Sequence, residues 1–210
     1  TSEMTEAEAV AAFIKFSEHK KNTAEITENL FRHFGSLNEF MIAPVSTLMN
    51  IDGVSRNTAV LLSIIPQLAR RIMIDRDLRH MVTGMEAVRE FVPKCFIGKS
   101  VEHFLLVCLD DKQKMIRYDY VSKGSVNHSM VDLRLLIRLA IECDARYIVL
   151  AHNHPRGQAF PSDDDLKTTH IVANVFKQIN VALLDHIVVN PQGSFSIALA
   201  PSCISASLKV

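Results

Sequence analysis

From residue 6 to residue 34, apolar side chains recur every three or four positions, with Ile26, Leu30 and Phe34 in one register. That period predicts helix, and Gly35 supplies its C-terminal stop. Short helices are expected near 36–42 and 44–50, the second opened by Pro44. Ile51-Asp52-Gly53-Val54 makes a tight break. A long apolar-periodic helix resumes over 56–76, and Pro66 is expected to kink or split it. The pattern changes near residue 80. A helix over 84–93 is followed by a strand at 101–109 (VEHFLLVCL), a polar turn at 110–114 and a second strand at 115–122. Helical spacing returns over 129–143. Residues 146–151 (RYIVLA) are almost wholly apolar and read as a central strand. A polar loop at 152–161, a helix over 162–179 and strands near 181–189 and 194–199 complete the reading. Helices first, then mixed strands and helices, predict an α/β chain of two domains. These are a small all-α domain at 1–80 and a mixed sheet flanked by helices at 81–210.

Composition narrows the function classes. The 210 residues carry 23 basic and 23 acidic side chains, so no bulk charge draws the chain to nucleic acid or to an anionic membrane. With 48% hydrophobic and 22% charged residues it has the make-up of a globular protein rather than a disordered one. The acidic N-terminal segment TSEMTEAEAV lacks the pattern of a signal peptide. Residues 186–208 lack Asp, Glu, Lys and Arg but are broken by Pro191, Gly193 and Pro201, so no membrane contact is expected. Cys95, Cys108, Cys143 and Cys203 form no C-x-x-C pair. A reducing, cytoplasmic setting is therefore expected.

Candidate chemistry concentrates in one stretch, Ala151-His152-Asn153-His154-Pro155-Arg156-Gly157, continuing through Pro161-Ser162-Asp163-Asp164-Asp165. Two His at i and i+2 on an extended strand end point to the same side and can reach one metal ion. Asp165 falls in the first turn of the next helix. Two imidazoles and a carboxylate leave one zinc position open, as catalytic zinc sites require. Taken singly the parts have plainer readings. A lone His at a strand end is a surface residue, and Ser162 followed by three Asp is a good helix N-terminus. H-E-x-x-H, H-x-E with P-C-x-x-C, G-x-S-x-G and the Gly-rich nucleotide loops are all missing.

The string H-N-H-P-x-G-x-x-x-P-S-x-x-D, running from His152 to Asp165, resembles the RadC family of JAB/MPN domains. It is that family's form of the JAMM metalloprotease motif. Residues 145–151, Thr169, the strand Leu184-Asp185-His186-Ile187-Val188-Val189, Ser194-Phe195-Ser196, and Val101-Glu102-His103-Phe104 with Gly124-Ser125-Val126 also fit. The resemblance spans roughly 24–200. It implies a mixed, curved sheet with a metal at its edge, Zn2+ held by His152, His154 and Asp165, and hydrolysis of an amide or isopeptide bond in a protein or peptide. It further implies Glu102 as the proton-accepting catalytic group and Ser162 as support for the oxyanion. Zinc brings the pKa of bound water to about 7, and one oxyanion donor is worth about 3 kcal/mol. Glu102 has a second reading as a solvent-facing residue at a strand start. His186 reads either as a partner that, with Asp185, orients a ligand, or as a structural strand residue.

Leu48-Met49-Asn50-Ile51-Asp52-Gly53-Val54-Ser55-Arg56 resembles a helix–hairpin–helix, whose hairpin N–H groups approach a DNA phosphate. Ser55 stands where the second Gly is usual. Residues 44–80 hold five Arg against three Asp, a surplus of two. A weak DNA contact around Gly53 and a plain helical packing module are equal readings. The rival to the hydrolase is thus a DNA-associated or scaffolding protein of RadC type, linked to DNA repair by the family's label, with a structural or vestigial metal. A metal-dependent nuclease is a third option.

Overall fold

A computed structural model describes residues 4–18, 22–123 and 131–201. Gly124-Ser125-Val126 and Cys203 lie outside the described residues. The chain divides into two compact units, Thr1–Arg71 and Ile72–Val210.

The first unit is helical. Its elements are α1 (Glu6–Ile14), α2 (Thr23–Phe34), α3 (Leu37–Met41), α4 (Val45–Leu48) and the start of α5 (Arg56–Arg79). The single helix expected over 6–34 is in fact two. Between them the sequence turns polar, and Asn22 adopts an extended conformation in which its side chain accepts from the Glu25 N–H. That N-cap starts a new helix instead of prolonging the old one. Gly35 ends α2 at φ 81°, in the left-handed region. Ile26, Leu30, Phe40, Leu48 and Leu62 form the core of this unit. Gly53 at φ 85° turns the chain against it, where a Cβ would sit 2.6 Å from Ile26 Cγ1. Helix α5 runs through Pro66 unbroken, because a proline removes one ladder hydrogen bond while the flanking turns keep theirs.

The second unit is built on α6 (Met85–Cys95), β1 (His103–Leu109), β2 (Met115–Lys123), α7 (Leu133–Glu142), β3 (Tyr147–Asn153), α8 (Asp163–Gln178), β4 (Ala182–Asn190) and β5 (Gly193–Ser196). The strands order β2-β1-β3-β4-β5. Among the described residues only the β3–β4 pair is parallel, and the other strand pairs are antiparallel. This is the mixed α/β architecture expected. Strand β1 is buried along its whole length. Its Leu105, Val107 and Leu109 pack with Phe91, Val92 and Cys95 of α6. The alternate Phe104, Leu106 and Cys108 pack with Leu136 of α7 and Val172 and Phe176 of α8. Alternation sends the two sets to opposite faces, so helices cover both sides of the sheet. That explains why β1 and β3 read as continuous apolar runs.

The α6 layer is fastened to β4 by a buried acid. Asp185 accepts from Arg89 Nε (2.9 Å), the Ser196 hydroxyl (2.6 Å) and the Ala198 N–H (3.0 Å). Removing the cation leaves a buried carboxylate short of its counter-charge, at a cost of about 3–5 kcal/mol. Arg89→Leu is therefore expected to lower the unfolding free energy by about that amount. Urea titration with tryptophan-free far-UV detection measures it, and a loss below 1 kcal/mol would refute the anchoring role.

Candidate metal centre

Strand β3 carries His152 near its end, and His154 follows directly after it. The His154 N–H donates to the Val189 carbonyl at 2.7 Å, which keeps this residue alongside β4. The period of two therefore survives one step past the strand, and both imidazoles emerge on the same face. Asp165 arrives from the first turn of α8. Ser162 and Asp165 form a reciprocal capping box there, with the Asp165 N–H donating to Ser162 Oγ and the Ser162 N–H donating to Asp165 Oδ2. The same cap that starts the helix fixes the carboxylate.

The three side chains converge. His152 Nε2 lies 3.0 Å from His154 Nε2 and 3.2 Å from Asp165 Oδ1, and His154 Nε2 lies 3.9 Å from Asp165 Oδ2. All candidate ligand atoms fall within 4.8 Å of one another. Around a tetrahedral zinc with bonds near 2.0–2.1 Å, ligand atoms stand about 3.3 Å apart, so the spacing suits one ion.

Hydrogen bonding decides which nitrogens are available. His154 Nδ1 is 2.8 Å from the Gln158 carbonyl, which can only accept, so Nδ1 carries a proton and Nε2 is the nitrogen turned toward His152 and Asp165. His152 Nδ1 is 2.8 Å from His186 Nε2, and His186 Nδ1 is 2.6 Å from Thr169 Oγ1. The Thr169 hydroxyl donates to the Asp165 carbonyl at 2.6 Å. With its only proton used there, Thr169 accepts from His186 Nδ1–H. His186 is wholly enclosed. Burial, and then the charge His152 can carry, push its pKa well below the ordinary value, so the ring is neutral and its Nε2 accepts from His152 Nδ1–H. Both imidazoles thus turn Nε2 toward one point, 3.0 Å apart and beside the Asp165 carboxylate.

Asp165 completes the charge. Burial pushes its carboxyl upward, but the His152 hydrogen bond and charge, then the Ser162 hydroxyl and N–H, outweigh it and hold the group far below the ordinary carboxylate range. The Ser162 hydroxyl donates to Asp165 Oδ2 at 2.6 Å.

Glu102, half-buried, lines the same cleft of about 130 Å³ with Phe104, His152, His154, Ser162 and Asp165. The residue between the two His sets its backbone. Asn153 Oδ1 accepts from the His103 N–H at 2.7 Å, and Asn153 Nδ2 donates to the Val101 carbonyl at 3.2 Å. His103 Nδ1 reaches the same carbonyl at 2.8 Å. Both neighbours of Glu102 are thereby tied to β3. Asp185 and His186 do not act as a pair. Adjacent strand residues face opposite ways, so Asp185 turns to Arg89 and only His186 reaches His152.

Residues 82–201 match the family model described as RadC-like JAB domain. The chain belongs to the RadC family. The UPF0758 protein of Cupriavidus pinatubonensis is 30% identical over 187 residues, covering 89% of this chain and 82% of its own. That of Cupriavidus necator is 31% identical over 198 residues, covering 93% and 86%. That of Acinetobacter baylyi is 27% identical over 198 residues, covering 93% and 73%. The RadC membership and the domain type expected from the motif are thus both established. No helix among the described residues is long and apolar enough to cross a membrane.

The depressed Asp165 pKa has a stability consequence in chelator-treated protein. The ordinary value is 3.8. With the folded value below it, the stabilisation is complete above about pH 4 and disappears as pH falls toward the folded value. Asp165→Asn removes this dependence. Relative to the variant, the parent is expected to lose stability steadily below pH 4 in denaturant titrations, and parallel pH profiles would contradict the assignment.

Proposed function

We propose that this chain is a zinc-dependent hydrolase acting on amide or isopeptide bonds of a protein or peptide. The observation that carries the reading is the pair of converging Nε2 atoms with Asp165 beside them and Glu102 in the same cleft. Two imidazoles and one carboxylate are the donor set of a catalytic zinc with an open position. A zinc ion bound there supplies a Lewis acid that brings the pKa of a coordinated water to about 7.

The chain's own groups supply the rest. Glu102 takes the proton of the attacking water and delivers it to the departing amine, a transfer typically worth about 10²–10⁴ in rate. Ser162 needs only to turn its O–H from Asp165 Oδ2 toward the substrate carbonyl oxygen. Asp165 keeps the Ser162 N–H meanwhile, and Ser162 Oγ keeps its N-cap role. Phe104, stacked parallel to the His152 ring at 6.0 Å, gives the cleft an apolar wall. No residue here forms a bond to the substrate, so the reaction is a single displacement by water.

The DNA-associated reading finds less support. At the α5 N-terminus, where a helix–hairpin–helix would present N–H groups to a phosphate, the Ser55 N–H donates to Glu18 Oε1 at 3.2 Å. The Thr58 hydroxyl donates to the same oxygen at 2.7 Å. The chain's own carboxylate holds the anion position, and a phosphate would have to displace it. Cytoplasmic residence remains part of the proposal.

The parent protein is expected to bind one zinc per chain by metal analysis, and His152→Ala/His154→Ala none. Glu102→Gln should retain the metal and lose at least about 100-fold in cleavage of an isopeptide-linked or peptide library read by mass spectrometry. Full metal content in the double His variant, or unchanged cleavage in Glu102→Gln, would end this reading.

A further inference from the structure

Four groups are linked head to tail beneath the metal-facing side chains: the Asp165 carbonyl, the Thr169 hydroxyl, the His186 ring and the His152 ring. The chain of bonds starts on one ligand residue and ends on another. Thr169 sits one helical turn after Asp165 on α8, and His186 lies on β4, paired in parallel with β3. Helix and strand therefore both contribute. Thr169 and His186 are wholly enclosed, away from water, so no solvent molecule can replace a missing partner.

We propose that Thr169 and His186 form a tautomer relay, in which the Thr169 hydroxyl compels His152 to offer its Nε2 lone pair to the metal. Each link has one sense. The Asp165 carbonyl accepts only, so the hydroxyl points its proton there and offers oxygen to His186. His186 then keeps its proton on Nδ1 and turns its Nε2 lone pair toward His152. His152 in turn keeps a proton on Nδ1, so Nε2 is the nitrogen it turns toward Asp165 and the metal position. Without the hydroxyl oxygen, His186 Nδ1–H has no acceptor, and the ring gains by moving its proton to Nε2. That proton faces His152 Nδ1, so His152 must shift its own proton to Nε2, where it blocks coordination. The two residues thus act through His152, as positioning residues. His154 is set separately, by the Gln158 carbonyl.

The relay deepens the zinc-hydrolase reading and rests on it for its purpose, yet its state is readable without metal or substrate. In chelator-treated parent protein, nitrogen–proton correlation spectra are expected to show His152 with a proton on Nδ1, bonded to His186. Thr169→Val, which keeps shape but removes the hydroxyl, should convert it to Nε2–H. Thr169→Ser should restore the parent form. Zinc affinity measured by competition with a chromophoric chelator should fall about 10- to 100-fold in Thr169→Val, the range found when a ligand histidine loses its outer partner. It should recover in Thr169→Ser. His186→Phe should match Thr169→Val, with melting curves of each variant verifying the fold. A parent His152 in the Nε2–H form, or a folded Thr169→Val variant with the parent tautomer and parent affinity, overturns the relay. If the parent protein shows the expected tautomer and the expected switch but takes up no zinc, the relay stands and the zinc reading falls.

Discussion

Two imidazole Nε2 atoms held 3.0 Å apart beside a buried carboxylate form the arrangement that the rest of the second unit serves. Each ring is fixed by a bond on its far side, to the Gln158 carbonyl in one case and to His186 in the other. The His152 ring cannot swap tautomer without orphaning the buried His186, which costs about 1–3 kcal/mol. That ring is therefore held in place by the sheet and α8. A cation at this point would find its donor atoms already placed.

The sheet meets this need through parity. His152 and His154 share a face, and Asn153 between them faces the other way. The same backbone stretch thus positions His152 and His154 on one side and, through Asn153, fixes the segment around Glu102. Antiparallel pairing sets Phe104 of β1 opposite His152 of β3. Residue 102 consequently lies at the end of β1 where β3 delivers His152 and His154. The parallel β3–β4 pair brings His186 beneath His152, and the α8 crossover between those strands supplies Asp165 and Thr169. One β–α–β passage, braced by β1, accounts for the whole centre.

Much of this was legible in the residues. The period-two spacing of His152 and His154 and the Ser162–Asp165 capping signature are local, and the structure realises both. The strand and helix order of the second unit also follows from local patterns. The failures are equally instructive. The expected helix at 6–34 broke because an N-cap at Asn22 outweighed apolar periodicity, and α5 continued through Pro66 because the flanking hydrogen bonds sufficed. The roles of Thr169, His186 and Asn153 depend on strand register and helix placement, which one sequence does not encode locally. A signal did exist in part. Thr169 is four residues after Asp165, hence on its helix face, and His186 interrupts a strand otherwise apolar at Ile187, Val188 and Val189, where a buried polar group needs a partner.

His152, Asp165, Thr169 and His186 are all buried in a layer otherwise filled by Phe104, Leu150, Val172 and Phe176, and Asn153 is buried on the opposite face of β3. Apolar residues of similar volume there would serve stability as well or better, since buried polar clusters seldom repay their desolvation. The cluster must be weighed by what its hydrogen bonds leave over. Asn153 spends its amide on Val101 and His103, Thr169 its hydroxyl on Asp165 and His186, and His186 both nitrogens on its neighbours. The groups that remain, the Nε2 atoms of His152 and His154 and the Asp165 carboxylate, meet one another. All three line the cleft that Glu102 also lines. The cluster's hydrogen bonds thus gather three metal-ligating types at one opening, which folding alone does not require.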